Sequence, residues 1–295
     1  MFTKFRNYKL LAKLSSSDYP PKRSSVQRLG PYYICPFVYR DPGLSAVPKY
    51  VVGGMDRCID LAMAKSISEY VERVTFWQAE DQGKLHGLMS YRAEGYAAFP
   101  KIGFSDPVKK ARDFSLLESV EKYSWPEFWH NQNIGFDREA GFNPWPAELA
   151  QLKIRDHSYI FPFIQRPWHV CISIGRIGEN GVVLGAACSK DREKSKEHAF
   201  SEMLRKYIAT NNIRNGFVAD WPEWAERLMF LAEHGNSSYE KRLSSSEAET
   251  ILLPDLELDG EVLDHPFRQF YHVYRTQFKG KVGYFGNQGK EVGYL

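Results

Sequence analysis

The segment Ser66-Ile-Ser-Glu69-Tyr-Val-Glu72-Arg73 recurs 49 positions later as Ser115-Leu-Leu-Glu118-Ser-Val-Glu121-Lys122, and the match needs no gap. The same shift carries Gly54 onto Gly103, Ala62 onto Ala111, Val71 onto Val120 and Phe76 onto Trp125. A looser third copy follows at His198 to Lys206, with Ala199 at the serine position, Glu202 at the first glutamate and Arg205 at the second. Positions 66, 69, 72 and 73 share one face of a helix, because the helical period brings i, i+3, i+6 and i+7 together. A recurring unit restricts the fold before any propensity is consulted. The expectation is an α/β chain of mixed sheets with helices, built on an internal strand-turn-helix repeat.

Local signals fill in the units. Tyr32 to Tyr39 reads as a strand in which Pro36 marks an edge or a break. A loop over 41–50 and a short strand from Tyr50 that stops at Gly53-Gly54 precede a helix from about Asp56 to Trp77. Its apolar ridge is Ile59, Met63, Ile67, Tyr70 and Val74. In the second unit a strand ends at Tyr96–Phe99, Gly103 turns the chain, and Asp106-Pro107 opens a helix to about residue 125. Val108, Ala111, Phe114, Leu117 and Val120 are its expected buried side, and 126–150 reads as an irregular insertion. Strands near 159–163, 169–174 and 182–187 lead to a third helix from Asp191 to about Tyr207. A helix at Trp221–Glu233, a Ser/Glu-rich loop at 243–249 and a strand from Phe270 to Phe278 complete the pattern. The expected organisation is a basic, poorly ordered segment over 1–30, one folded domain over 31–278 and a glycine-rich flexible tail over 279–295.

A net charge of +3 is too small to argue for nucleic acid. The excess is local, with Lys4, Arg6, Lys9, Lys13, Lys22, Arg23 and Arg28 facing Asp18 alone in the first thirty positions. Cys35, Cys58, Cys171 and Cys188 show no C-x-x-C and no zinc spacing, so reduced thiols and a cytoplasmic setting are expected. Apolar runs fall short of a membrane span. There is no P-loop, no kinase glycine loop, no His-Glu-x-x-His and no Gly-x-Ser-x-Gly elbow. His169, His198 and His265 read as structural or surface histidines, and Cys58 and Cys188 as packed thiols.

For a single helix, Glu69 with Arg73, or Glu118 with Lys122, is an ordinary i,i+4 pair on a solvated face. Recurrence together with the same Gly, Ala, Ser and Val neighbours favours a functional stripe instead. Converging carboxylates are costly without cations. Hard oxygen ligands of this kind suit Mg²⁺ together with phosphate and water. Arg73, Lys122, Arg205 and Lys206 would balance the phosphates.

Ser66-x-x-Glu69-x-x-Glu72-Arg73, preceded by Gly53-Gly54, resembles the Ser-x-x-Glu-x-x-Glu-Arg signature of the YcaO family. Leu116-Leu117-Glu118-Ser-Val-Glu121-Lys122-Tyr123 resembles that family's Leu-Leu-Glu-x-x-Glu-Arg-Asp, and Glu202-Met-Leu-Arg205 stands where it has Glu-x-x-Gln. The resemblance runs from about Gly30 to Lys206. It implies a YcaO-like ATP-binding domain over 31–278 that activates peptide backbone amides by O-phosphorylation. The leading expectation is an azoline-forming cyclodehydratase acting on Cys, Ser or Thr of a ribosomally made precursor peptide; other members of the family give thioamides or amidines. Carried over, Ser66, Glu69, Glu72, Arg73, Glu118, Glu121, Lys122, Glu202 and Arg205 would bind ATP, and Glu69, Glu72, Glu118, Glu121 and Glu202 would hold Mg²⁺. No peptide-recognition domain is recognisable before residue 30, so a separate leader-peptide-recognition partner is expected, with an azoline dehydrogenase as a further partner in a homo- or hetero-oligomer. Lys122-Tyr123 replaces Arg-Asp, Arg205 replaces Gln, and the chain ends without the proline-rich tail of azoline-forming members. These departures define the alternative, a catalytically weakened docking or structural subunit. A repeat scaffold with merely solvated glutamates is the third reading.

Overall fold

Gly54 stands where a side chain will not fit. It lies in β4 (Val51–Asp56), against which α2 (Ile59–Asp81) is laid. A Cβ there would sit 2.5 Å from the Ser66 nitrogen and 2.6 Å from Lys65 Cβ, and against the Ala62 carbonyl as well. Ala62 and Ser66 are fully buried in the contact. The Ser66 hydroxyl accepts the Gly54 N–H at 2.6 Å and donates to the Cys35 carbonyl of β3 (Tyr32–Val38), which joins helix and two strands. Gly185 of β9 (Gly181–Ser189) makes the corresponding opening for α4 (Arg192–Arg214). Its Cβ would lie 2.8 Å from the Glu202 carbonyl carbon and closer still to Met203 N and Ala199 O. A glycine inside a strand commonly marks this kind of backbone approach.

The computed structural model describes residues 2–17, 20, 22–23, 25–38, 51–81, 94–141, 147–215, 223–244, 249–253 and 261–278. Contacts divide the chain into one unit of Met1–Met89, Gly95–Leu116 and Leu258–Gln277, and another of Ser90–Glu94, Leu117–Glu257 and Phe278–Leu295. In the first unit β1 (Lys22–Arg23) and β2 (Gln27–Leu29) flank one side of β3, and β4 pairs along the other. Pro36 falls where β1 has ended and β2 has not begun, so the break foreseen from the proline lies in the neighbouring strands rather than in β3. A second sheet has the order β10 (Glu261–Val262), β11 (Tyr271–Gln277), β5 (Glu94–Pro100). Met63, Ile67, Tyr70 and Val74 of the expected ridge are buried, whereas Ile59, in the first turn of α2, is 42 % exposed. The basic segment expected to lack order forms α1 (Phe2–Ser15), whose Leu10 and Leu14 enter the same core. Loop 41–50 and tail 279–295 lie outside the described residues.

The second unit is built on an antiparallel sheet of β6 (Phe136–Ala140), β7 (Ile154–Pro162), β8 (His169–Ile177) and β9. Its three longer strands coincide with the apolar runs read from sequence. α4 starts where expected, with the Asp191 carboxylate accepting the Glu193 and Lys194 N–H groups. α5 (Glu223–Ser244) runs further than expected, into the Ser/Glu-rich segment.

α3 (Pro107–His130) contributes to both units, opening at Asp106, whose carboxylate accepts the Lys109 N–H at 2.9 Å. Two expectations about it are corrected. The helix continues through Pro126 to His130 and is followed by β6, so the 126–150 segment is not simply an irregular insertion. Its buried face is Ala111, Ser115, Ser119, Val120 and Ser124, while Phe114 is 45 % exposed. Serines can line a buried helix face when their hydroxyls bond back to the preceding turn, as Ser124 does to the Val120 carbonyl at 2.7 Å. Around the end of α3, the buried Arg242 of α5 donates to the carbonyls of Phe128 and Ile134 and stacks 3.8 Å above the Phe128 ring. These carbonyls replace the water its charge gave up, and burial lowers its pKa to about 10.

The internal strand-turn-helix repeat expected from the sequence is not reproduced as a structural unit. β4, β5 and β9, the strands preceding α2, α3 and α4, belong to three different sheets. Gly103, which aligns with Gly54, is an exposed turn residue with φ 90° and not a helix contact. Among the described residues no helix is long and apolar enough to cross a membrane. Gly54→Ala and Gly185→Ala should each destabilise the protein by about 2 kcal/mol or more, since added carbon meets rigid backbone. Gly53→Ala, whose nearest neighbour would be 3.7 Å away, should stay within about 0.5 kcal/mol of wild type in urea unfolding. Equal midpoints for the Gly53 and Gly54 variants would overturn the close-approach account.

Candidate carboxylate site

In the second unit α3 and α4 bring their polar stripes together. Glu118 pairs with Lys122 at 2.7 Å, and Glu202 pairs with Arg205 at 2.7 Å. Glu121 lies among them. Its residue keeps some exposure, but its carboxyl group is enclosed by protein. Burial pushes this carboxyl upward, Glu118 and Glu202 add to the effect, Lys122 and Lys206 oppose it, and the outcome is about 8. Burial likewise pushes the Lys206 ammonium down, against the pull of Glu202 and Glu121. The Cys188 thiol of β9 faces the same group: its pKa is raised by burial first and then by Glu121. Three carboxylates, two lysines and Arg205 thus share one neighbourhood. Burial first, and the two neighbouring carboxylates after it, keep the Glu121 acid protonated near neutral pH.

The α2 stripe belongs to the first unit. Glu69 and Arg73 stand 4.0 Å apart. Glu72 accepts the Ala98 N–H of β5 at 2.7 Å, which satisfies a donor on the edge strand of its sheet. Ser66, expected to touch the nucleotide, is fully buried, with its hydroxyl held by Gly54 and Cys35. Ser115 is also fully buried and bonds Thr276 of β11, and Ala199 packs under Gly185. The small residue at the head of each stripe is therefore a contact with the chain's own strands. Glutamates follow one and two turns later in α2 and α3, and Glu202 then Arg205 in α4.

Among the described residues no group of three His, Cys, Asp or Glu side chains forms a ready metal site. Glu118 and Glu202 are each turned onto the basic residue three or four positions on. Carboxylate oxygen is nevertheless the donor type a hard cation takes, and burial first, then Glu118 and Glu202, keeps the Glu121 carboxyl neutral. Sequence reasoning missed Cys188 as a neighbour of Glu121, because nothing in the spacing joins them. It also passed over Gly185, although a glycine within an apolar strand is a usable signal. His265 is buried, as expected of a structural histidine.

The elements so far define a two-unit α/β protein with carboxylate-bearing helices laid on antiparallel strands. No family model and no curated protein sequence matches the chain. Solved structures do. A YcaO from Methanopyrus kandleri bound with AMPPCP and Mg²⁺ is similar with a TM-score of 0.58 and 15% identity, over 99% of this chain and 92% of that one. The E. coli microcin synthetase McbBCD complex gives a TM-score of 0.54 at 10% identity, covering 87% of this chain and 86% of that one. The same complex with pro-MccB17 bound gives 0.55 at 11%, over 93% and 95%. The fold is YcaO-like.

Without added divalent cation, the Glu121 carboxyl should titrate near pH 8, as followed by carboxyl-carbon NMR. Because its folded pKa lies above the ordinary 4.5, its contribution to stability is complete below about pH 4.5 and is lost as pH rises through about 8. Glu121→Gln should flatten that part of the stability profile, and Lys206→Met should move the Glu121 titration still higher. A Glu121 titration near 4.5 would overturn the crowded-carboxylate description.

Proposed function

We propose that this chain binds ATP with Mg²⁺ and activates backbone amides of a ribosomally made precursor peptide by O-phosphorylation. The observation that carries the reading is the joining of a YcaO-like fold to the acidic and basic cluster of α3 and α4. A nucleotide analogue and Mg²⁺ are bound by the similar Methanopyrus kandleri structure, which supports both ligands here. Glu118, Glu121 and Glu202 of the second unit would hold Mg²⁺, and Glu69 and Glu72 are the candidate cation ligands of the first unit. Arg73, Lys122 and Arg205 would meet the phosphates, with Lys206 beside them. Bound Mg²⁺ supplies charge neutralisation for the phosphates. Glu121 would give up its proton to solvent when a cation is held there, and Lys122 and Arg205, now paired with Glu118 and Glu202, would supply positive charge for the phosphates.

The preferred outcome is cyclodehydration. The side-chain heteroatom of Cys, Ser or Thr gives up its proton to solvent as it bonds to the preceding carbonyl carbon, and that carbonyl's oxygen takes the γ-phosphoryl group of ATP. The carbon–oxygen bond then breaks, the oxygen leaves within phosphate, and the amide nitrogen loses its proton as the C=N of the azoline forms. ATP becomes ADP and phosphate, and the peptide loses the elements of one water. Phosphorylation is needed because an amide oxygen is otherwise a poor leaving group. Likeness to the microcin synthetase complex, with and without its bound pro-MccB17, supports work as one subunit of an assembly, here placed in the cytoplasm. A separate leader-recognition protein and an azoline dehydrogenase would be its companions. A second reading, a docking or structural subunit with weakened catalysis, draws support from the tight Glu118–Lys122 and Glu202–Arg205 pairs, which occupy carboxylate oxygens a cation would need.

Mg-ATP should raise the melting temperature with a stabilisation that grows as the logarithm of its concentration. Glu118→Gln and Glu202→Gln should lose most of that rise. Purified protein, ATP, precursor peptide and recognition partner should together yield peptide lighter by one water per azoline. An unchanged melting curve at millimolar Mg-ATP overturns nucleotide binding. A normal shift with no peptide modification and no ATP hydrolysis in the full mixture makes the docking reading the better one.

A further inference from the structure

Between the end of β5 and the start of β11, within the first unit, lies an open cavity of about 260 Å³. Lys101, Asp264, His265, Arg268, Tyr271 and His272 are on its walls. Three of these groups have partners within the fold. Asp264 and Arg268 pair at 3.2 Å, and the His265 ring accepts the Phe267 N–H at 3.2 Å while burial holds its pKa down to about 4. Lys101 and His272 differ. The Lys101 main chain is fixed by its N–H bond to the Phe270 carbonyl at 2.8 Å. Among the described residues, however, neither the Lys101 ammonium nor the His272 imidazole has a hydrogen-bond or ion-pair partner. Burial lowers the His272 pKa, and Lys101 lowers it further against the weaker pull of Asp106 at the start of α3. Two basic groups thus repel each other across a cavity wall, with the one carboxylate lining it already paired to Arg268.

We propose that Lys101 and His272 form a small-oxyanion site whose ligand is phosphate. A cavity of about 260 Å³ lies below the roughly 300 Å³ at which pockets for drug-sized molecules begin, so its size suits an ion or the phosphorylated end of a larger molecule. A dianion with oxygens in several directions can meet the Lys101 ammonium, a protonated His272 and the outer face of Arg268 together. A carboxylate offers one charge and two oxygens to the same three groups. The charged and titratable groups facing His272 are Lys101, Asp264, Arg268, His265 and Asp106. Apart from Asp106 and Asp264 they are basic or neutral, so an arriving anion shifts the imidazole toward its protonated form. None of the stripe glutamates takes part, so the site stands apart from the proposed Mg-ATP chemistry.

The test is histidine-ring NMR of the full chain at fixed pH, titrated with inorganic phosphate and, separately, with chloride at matched ionic strength. Phosphate should move the His272 signals saturably toward the protonated position and leave those of His265 in place. Lys101→Gln should weaken the phosphate affinity about tenfold, the loss of one charge-assisted contact. The idea is overturned if chloride moves His272 as far as phosphate does, if acetate binds as tightly, or if folded Lys101→Gln keeps wild-type affinity.

Discussion

Two glycines decide how the helices lie. At Gly54 and at Gly185 a strand offers no side chain, and the helix backbone takes that space. Ser66 and Ala199 are small for the same reason, since each is the helix residue that meets the strand. Once that contact is set, the helical period fixes everything after it. In α2 the positions one and two turns on are Glu69, Glu72 and Arg73; in α4 they are Glu202, Arg205 and Lys206. The direction of the acidic side chains is therefore a consequence of a packing contact near the start of each helix.

Charge explains why these glutamates are more than a solvated face. An exposed Glu–Lys pair on a helix contributes little and perturbs nothing. Around Glu121 burial and two further carboxylates outweigh two lysines, and the acid is held protonated near neutral pH. Folding alone gains nothing from such an arrangement, because an apolar residue at position 121 would avoid the desolvation cost. A ligand that brings positive charge removes the cost. The fold is similar to that of a YcaO bound with AMPPCP and Mg²⁺.

Both units bury polar groups that the chain satisfies internally. Arg242 donates to the Phe128 carbonyl in the last turn of α3 and to that of Ile134 beyond it, and Ser124 and Thr75 bond back to the carbonyl one turn before them. Ser115 reaches Thr276 across the fold. Each lets a polar residue occupy a buried position, which a reading based on apolar periodicity assigns to the surface.

Local chemistry alone determined where helices start and which residues carry charge. Asp106-Pro107 and Asp191 announce α3 and α4 because capping needs only a side-chain oxygen and the next few N–H groups. The apolar runs of β7, β8 and β9 and the three Glu stripes were legible for the same reason, being patterns within one element. The buried face of α3 was not. Phe114 is apolar and exposed, while Ser115 and Ser119 are polar and buried, because burial depends on which neighbour arrives from distant sequence. Nor could the chain's order alone give Ser66 to Gly54 and Cys35, carry α3 through Pro126, or bring Cys188 beside Glu121. Those outcomes rest on contacts between elements, which only the assembled backbone provides.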